Sequence, residues 1–531
     1  MSAIREKFIL ALDLGTSGPK AALVNTQGEI VAHSFEKNEV ILLPDGGAEQ
    51  CPEQWWATIV QAIHRLLAKG IVPEDEIVAI CCTGQWSGTV AVDRDGAPLM
   101  NAIIWLDSRG HRYIRRITGG LCKIEGYGIL RLLRWLRLTG GIPSHSGKDP
   151  IAHILFIKYE RPDIYRRTCQ FLEPKDYLNL RLTGRFAASF DSIALHWLTD
   201  NRNLHRVDYD RRLLRMSGME RAKFPDLKNA VEVLGPIKKE VARELGIRED
   251  VQVVTGTPDI HSAAIGSGAV DDYHGHLYVG TSSWLTCHVP FKKTDIRHNM
   301  ASLPAAIPGK YIIANEQEIA GGYLNFLRDN LLCPGNKLSG EESEANIFQT
   351  FDKIAEKTPA GSHKVIVTPW LYGERTPVEN HSLRSGIHNL SLSTTREDLI
   401  RAAFEGVAYN SRWLLGYVEK FIRRRMDSIH MIGGGANSDI WCQIHADVFD
   451  RTIRQVKYPL WANLRGTAFL AAVSLGYLRF EDIPARVKIA NTFLPNPDNR
   501  KIYDELFREF LNIYKRNKGI YERLQRVAYT S

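Results

Sequence analysis

Apolar residues fall in short blocks along this chain, separated by glycine-rich and polar turns. Phe8 to Leu12 and Ala21 to Val24 are apolar runs that flank Asp13-Leu14-Gly15-Thr16-Ser17-Gly18-Pro19-Lys20. The pattern predicts strand, tight turn, strand, and a third strand ends near residue 34 after the turn Asn25-Thr26-Gln27-Gly28. From Pro52 to Lys69 the period lengthens: Trp55, Ile59, Ile63 and Leu67 share one face, which predicts a helix. Ile77 to Cys82 reads as a buried strand that runs into Thr83-Gly84-Gln85-Trp86-Ser87-Gly88. Ala102 to Trp105 is a shorter apolar run that ends at Leu106-Asp107-Ser108-Arg109. Strands that end in polar residues are where α/β folds usually place chemistry.

The remainder continues in the same style. Tyr127 to Leu138 is leucine-rich and basic, and reads as a core-packing helix with snorkelling arginines. Val251 to Val254 predicts a strand that ends in Thr255-Gly256-Thr257-Pro258-Asp259, and Ile260 to Val270 a helix of small residues. The second half opens with strands from His276 to Val289 and reaches Met431-Ile432-Gly433-Gly434-Gly435-Ala436-Asn437. A helix with Ile440, Ile444 and Val448 on one stripe follows. Residues 501 to 527 predict a charged helix with Tyr503, Leu506, Phe507, Phe510 and Leu511 as its packing face.

Length then bounds the organisation. A chain of 531 residues exceeds what one hydrophobic core usually holds. Acidic residues and glycines cluster between Gly268 and Gly275, and the glycine–threonine–serine turn recurs at Tyr278-Val279-Gly280-Thr281-Ser282-Ser283. Two such turns, opening two halves, point to duplicated domains that close on a nucleotide. The expected division is 1–270, 271–480 and a helical tail at 481–531. Patterning leaves open whether the tail packs in cis or forms the contact of a homodimer.

Composition changes this picture little. The chain is 44% hydrophobic and 24% charged, ordinary for a globular protein. The net charge of +8 suits an anionic ligand such as ATP, and also nucleic acid. The basic residues are dispersed apart from short clusters at Arg131 to Arg137 and Arg423 to Arg425, which favours a solvated surface over a nucleic-acid partner. The 8 cysteines, Cys333 among them, form no Cys-x-x-Cys pair, which fits reduced thiols in a cytoplasmic protein. No apolar run approaches the roughly 20 residues that span a bilayer, so no membrane partner is expected.

The candidate chemistry is phosphoryl transfer. It needs a cradle for phosphates, a metal, a place for adenosine and a base for the acceptor hydroxyl. The turns at Thr16 and Thr281 offer successive N–H groups to phosphate. Asp13 is placed to hold a magnesium ion beside them. Gly433 to Gly435 lets the backbone approach a flat adenine with no Cβ in the way. Asp259 ends a strand and is the best candidate base, although the same position also suits a helix cap.

The same stretches resemble the FGGY carbohydrate kinases. The matching segments are Leu12 to Lys20, Glu49 to Trp56, Gly84 to Gly88, Trp105 to Arg109, Pro174 to Tyr177 and Gly256 to Val270. Gly280 to Ser282, Gly373 to Pro377, Gly433 to Asn437 and Gly466 to Ala468 complete them in order. The closest likeness is to xylulokinase-like pentulose kinases. The resemblance implies an α/β fold of two duplicated ribonuclease-H-like domains, as in hexokinase and actin, with an interdomain cleft. It implies Asp13 at the magnesium site, Thr16, Ser17 and Lys20 in the first phosphate loop, and Gly280, Thr281 and Ser282 in the second. It places Gly433, Gly434, Gly435 and Asn437 against adenosine, and Asp259 as the base. Gln85, Trp86, Ser87, Asp107 and Arg109 would line the sugar site; Asp107 and Arg109 could instead form a structural ion pair, but two alternating polar residues after a strand end favour a pocket. The chain departs from the xylulokinase pattern at Ser87, where that pattern has histidine, and at Ile260, where it has asparagine. The implied activity is an ATP-dependent sugar kinase acting on a ketose. The competing readings are a sugar-binding regulatory protein on the same fold and an actin-like ATPase.

Overall fold

The computed structural model describes residues 6–332 and 344–527. Cys333 and the last residues of the predicted tail lie outside them. The first half contains β1 (Phe8–Gly15), β2 (Gly18–Asn25), β3 (Ile30–Phe35), α1 (Pro52–Leu67), β4 (Ile77–Gly84), α2 (Pro174–Thr183), β5 (Val233–Pro236), β6 (Gln252–Pro258) and α3 (Asp259–Gly266). The second contains β7 (Gly275–Val279), β8 (Ser283–Thr286), α4 (Arg396–Ile422), β9 (Ser428–Ile432), α5 (Asp439–Phe449), β10 (Thr452–Val456), α6 (Ala462–Ser474), β11 (Ile489–Phe493) and α7 (Arg500–Val527). Shorter elements connect them.

Each half is built on one mixed sheet. The first runs β5-β6-β4-β1-β2-β3, with β1, β4 and β6 parallel and β2 returning antiparallel to β1. The second runs β8-β7-β9-β10-β11, with β7, β9 and β10 parallel and β8 antiparallel to β7. The β1–β2 hairpin and the β7–β8 hairpin therefore hold corresponding places, and the two glycine turns cap them. This is the duplicated α/β arrangement that the sequence pattern predicts.

The period of two along β1 assigns its faces. Leu10 and Leu12 pack with Trp55, Ile59 and Ile63 of α1. Ile9 and Ala11 pack with Ala468, Phe469 and Leu470 of α6, a helix contributed by the second half. One face of the first sheet is thus closed by its own helix and the other by its neighbour's. Trp55 and Ile63 are fully buried, and truncating such a residue to alanine costs about 2–5 kcal/mol.

The segment from 481, expected to be a helical tail, has a short helix at Ile483–Arg486 and then β11, an edge strand antiparallel to β10. α7 then buries Tyr503, Leu506 and Phe510 in the core of the second half, so this segment packs in cis. The basic helix at Ile129–Leu138 buries Leu132, Trp135 and Leu138, while Leu130 and Leu133 face solvent.

Candidate active site

Two hairpins bring the first group of site residues together. Register pairs Asp13 on β1 with Lys20 on β2, and Lys20 Nζ lies 3.2 Å from Asp13 Oδ2. The nearby aspartate raises the lysine's pKa, which keeps it charged. Between them the chain turns at Gly18, whose φ is 142° and whose added Cβ would lie 1.9 Å from Glu36 O. Ser17 is exposed at the tip. Thr16 faces inward: its hydroxyl donates to Gln85 Oε1 at 3.2 Å and accepts from Trp105 Nε1 at 2.9 Å. Gln50 Nε2 donates to Thr16 O at 2.8 Å.

The second turn is closed by Gly280 N donating to Ser282 O at 2.9 Å. Thr281 is exposed, and its carbonyl accepts from Ala320 N at 2.8 Å. The Ser282 hydroxyl pairs with the Glu316 carboxylate. Glu316 in turn is ion-paired to Arg375, which also holds Glu318 at 3.2 Å. Tyr278 on β7 stacks on Trp284 at 4.0 Å and has Lys20, Asp259 and Asp13 as its charged neighbours. The two turns therefore converge on a common set of charges.

Asp259 occupies the first helical position of α3, and the residue before the helix is Pro258. Its Oδ1 accepts from the adjacent Ile260 N at 2.9 Å. Burial pushes its pKa up to about 8, the negative charges of Asp13 and Glu316 add to the rise, and Lys20 opposes it. A carboxylate poised near neutral pH, reached by charges from both halves, has the properties of a general base.

The predicted sugar-site residues divide. Gln85 lies under Thr16, as above. Trp86 Nε1 donates to Ser192 O at 2.8 Å, and its ring meets His261 edge-on at 5.2 Å. Ser87 has a φ of 66° and donates to Lys148 O at 2.7 Å. Asp107 and Arg109 are buried and bonded to each other, with Arg109 Nη2 at 2.7 Å from Glu49 and Ala48 N donating to Asp107 Oδ2 at 2.9 Å. Arg109 also lies over the Phe156 ring at 4.4 Å. The pair thus has the contacts of a structural ion network, with Asp107 accepting at both carboxylate oxygens.

In the turn predicted to face adenosine, Gly433 has a φ of 89°, and a Cβ there would lie 2.5 Å from Val279 O. Gly435 packs against Val279 and Trp441 in the same sense. Gly434 and Asn437 are exposed, and a Cβ on Gly434 would find its nearest neighbour at 4.0 Å, Leu460 Cδ2. That combination is an open backbone face bordered by packed glycines, which suits a flat ring.

Among the described residues no group of three or more His, Cys, Asp or Glu side chains could hold a metal ion. Asp13 fits a metal that completes its shell with phosphate oxygens and water, the usual habit of magnesium.

Sequence reasoning missed several of these residues. Lys148 reaches Glu318 across the two halves at 3.5 Å, and the only sequence signal was a Gly- and Ser-rich stretch, Gly140 to Gly147. Arg375 sits in a quoted motif, but its pairing with Glu316 needs the fold. Gln50 lies in the matching segment Glu49 to Trp56 and Tyr278 heads the second turn, but neither was assigned a role.

Known proteins resemble this chain along nearly its whole length. Residues 8–266 match the model of the N-terminal domain of the FGGY family of carbohydrate kinases, and residues 276–475 match that of its C-terminal domain. A xylulose kinase of Staphylococcus epidermidis is 27% identical over 521 residues, covering 97% of this chain and 98% of its own. Among solved structures, a gluconate kinase from Lactobacillus acidophilus superposes with a TM-score of 0.84 at 24% identity, over 98% of this chain and 100% of its own. The ligand-bound xylulose kinase of the same organism gives the same values.

Proposed function

The chain belongs to the FGGY family of carbohydrate kinases, and from that membership we propose that it transfers the γ-phosphoryl of ATP to a hydroxyl of a ketose, a pentulose such as xylulose. The observation that carries this reading is Asp259: it follows β6 as the first residue of α3, is reached by charges from both halves, and has a pKa raised to about 8. In the ionised state it takes the acceptor's hydroxyl proton while the acceptor oxygen bonds to phosphorus. The bond from phosphorus to the bridging oxygen breaks, and ADP leaves with that electron pair. Lys20 and the main-chain N–H groups of the turns at Thr16 to Ser17 and Thr281 to Ser282 face the phosphates. The exposed edge of Gly434 and Asn437 takes adenosine. A divalent ion, magnesium in this reading, neutralises phosphate charge when bound, and Asp13 is the residue to hold it.

The proposed units are the first 270 residues, which carry the sugar side and Asp259, and the remainder, which carries the ATP side. A cytoplasmic location accords with ATP use and with the free thiols of the described cysteines.

The identity of the acceptor is open to one specific alternative. The Ser87 hydroxyl is committed as a donor to Lys148 O, and Ile260 is buried in an apolar cluster. Neither offers what the xylulokinase pattern offers a sugar hydroxyl, and sites built on such bonds discriminate sharply. Another ketose, a polyol or a sugar acid is therefore the second reading. The test is ATP consumption with magnesium across ketopentoses, ketohexoses, glycerol and gluconate, with Asp259→Asn as the blank. One acceptor with strong, Asp259-dependent turnover identifies the substrate. Turnover that survives Asp259→Asn refutes the assigned base.

A further inference from the structure

Thr16, Gln50 and Gln85 form a closed ring of hydrogen bonds. Thr16 Oγ1 donates to Gln85 Oε1 at 3.2 Å, Gln85 Nε2 to Gln50 Oε1 at 2.8 Å, and Gln50 Nε2 to Thr16 O at 2.8 Å. The direction of the ring is set by two tryptophans. An indole N–H can only donate, and Trp105 Nε1 donates to the Thr16 hydroxyl at 2.9 Å. The single hydroxyl proton is then left for Gln85 Oε1, which turns the Gln85 amide nitrogen toward Gln50. Independently, Trp55 Nε1 donates to Gln50 Oε1 at 3.3 Å, which fixes the Gln50 amide the same way round. The second amide proton of Gln50 goes to Glu39 O at 3.2 Å. All donors run in one sense, so each bond polarises the next.

The three residues come from separate parts of the chain. Thr16 is in the turn between β1 and β2, Gln50 precedes α1, and Gln85 follows β4, where its N–H also donates to Leu14 O at 2.9 Å. Gln50 is fully buried, with its amide oxygen and nitrogen each making two bonds. Neither hydroxyl nor amide in the ring has reason to turn outward until the ring opens. The first phosphate turn is thereby fastened, through its carbonyl and its threonine hydroxyl, to the loop assigned to the acceptor.

We propose that Gln50 is a positioning residue that locks the first phosphate turn to the acceptor loop, so that phosphoryl transfer to the acceptor, and not to water, depends on the closed Thr16–Gln50–Gln85 ring. This rests on the kinase reading above. Thr16 then acts through the ring, and the turn meets phosphate with main-chain N–H groups.

Gln50→Leu removes all four side-chain bonds at similar volume, and Gln50→Glu keeps the shape but sets an acceptor against Thr16 O. ADP and phosphorylated acceptor are measured in the same reaction, with the best acceptor of the panel, beside the thermal midpoint. Wild-type protein is expected to form them one for one. Both variants should form ADP in excess of phosphorylated acceptor, with ATP hydrolysis in the absence of acceptor raised on the order of tenfold over the wild-type rate, because the turn no longer waits for the acceptor loop. Thr16→Val should do the same, and the double variant Thr16→Val with Gln50→Leu should be no worse than either alone, since the ring is already open. A lowered thermal midpoint with an unchanged ADP ratio overturns the proposal and leaves Gln50 a stability residue. A second readout needs no acceptor. The indole N–H resonance of Trp105, assigned through Trp105→Phe, should move when the β,γ-imido analogue of ATP is added with magnesium to wild-type protein, and should stay put in Gln50→Leu. Equal movement in both, or none in wild type, also overturns it. Failure of transfer to every acceptor counts against the kinase reading, and the resonance still decides the ring.

Discussion

Gly266 and Gly466 touch backbone to backbone where α3 crosses α6. A Cβ on Gly266 would lie 1.8 Å from Ala462 O, and one on Gly466 would lie 1.8 Å from Ser262 O. α3 begins at Asp259, and α6 comes from the second half, so the crossing joins the proposed base to the part of the chain that covers the first sheet. Arg465 reinforces it by donating to Gly266 O at 3.1 Å and to Lys457 O at 2.8 Å.

Gly466→Ala should therefore force the helices apart. Overpacking of this kind costs about 1–3 kcal/mol, read as a lower denaturation midpoint. Because Asp259 moves with α3, kcat should fall by more than stability alone explains at a temperature where the variant is fully folded. Wild-type kcat in folded Gly466→Ala protein would show that the crossing does not position the base.

Much of this architecture was legible in the sequence, and the exceptions have a common cause. The hairpins at Thr16 and Thr281 show as apolar runs broken by glycine, because a tight turn needs glycine locally. The seating of α6 on β1 left no such mark, since a contact between Phe469 and the strand of Ile9 and Ala11 creates no period within either segment. β11 was read as part of a helical tail because Ala490, Asn491 and Thr492 are exposed on an edge strand and blur the alternation. Asp107 and Arg109 alternate after a strand end, and an ion pair and a pocket wall look alike at that level. Gln50 lies in the matching segment Glu49 to Trp56, but its partners left no mark there, because an amide's partners are chosen by the fold.

Gly434 and Gly433 make a paired test of the adenosine face. At Gly434 an added Cβ meets nothing closer than 4.0 Å, so Gly434→Ala should leave the free energy of unfolding within about 0.5 kcal/mol of wild type. If the ring of adenine lies there, the KM for ATP should rise about tenfold or more, while the KM for the acceptor stays put. Gly433→Ala is different in kind. Its left-handed φ and the approach to Val279 O make it destabilising by itself. An unchanged KM for ATP in Gly434→Ala would move adenosine elsewhere.

Glu374 should tie stability to pH. Burial pushes its pKa up to about 8, against the lowering effect of N–H donors from Asn410, Arg375 and Glu318. A carboxyl group whose folded pKa is raised supports the fold below its ordinary pKa and loses that support as pH rises through the folded value. Between about pH 5 and pH 8 the wild-type protein should lose stability through this group by about 1.4 kcal/mol per pH unit at most. Glu374→Gln removes the titration, so the difference between the two curves should shrink steadily with rising pH. Denaturant unfolding across that range measures it, and parallel curves would mean that Glu374 is ionised throughout.

The pH dependence of transfer should report Asp259. A base acts only when ionised, and burial with the charges of Asp13 and Glu316 holds this carboxyl protonated to about pH 8 in the free protein. Since kcat/KM follows the free enzyme, it should rise with pH and level off above about pH 8. Lys20 opposes the shift, so Lys20→Met should displace the rising limb to higher pH, in addition to lowering the plateau through loss of a phosphate contact. The two effects are separable, because a lost contact scales the whole profile and an altered base moves its midpoint. A limb that shifts to lower pH in Lys20→Met, or one centred near the ordinary carboxyl value in wild type, would remove Asp259 from the role of base and direct attention to another group between the two turns.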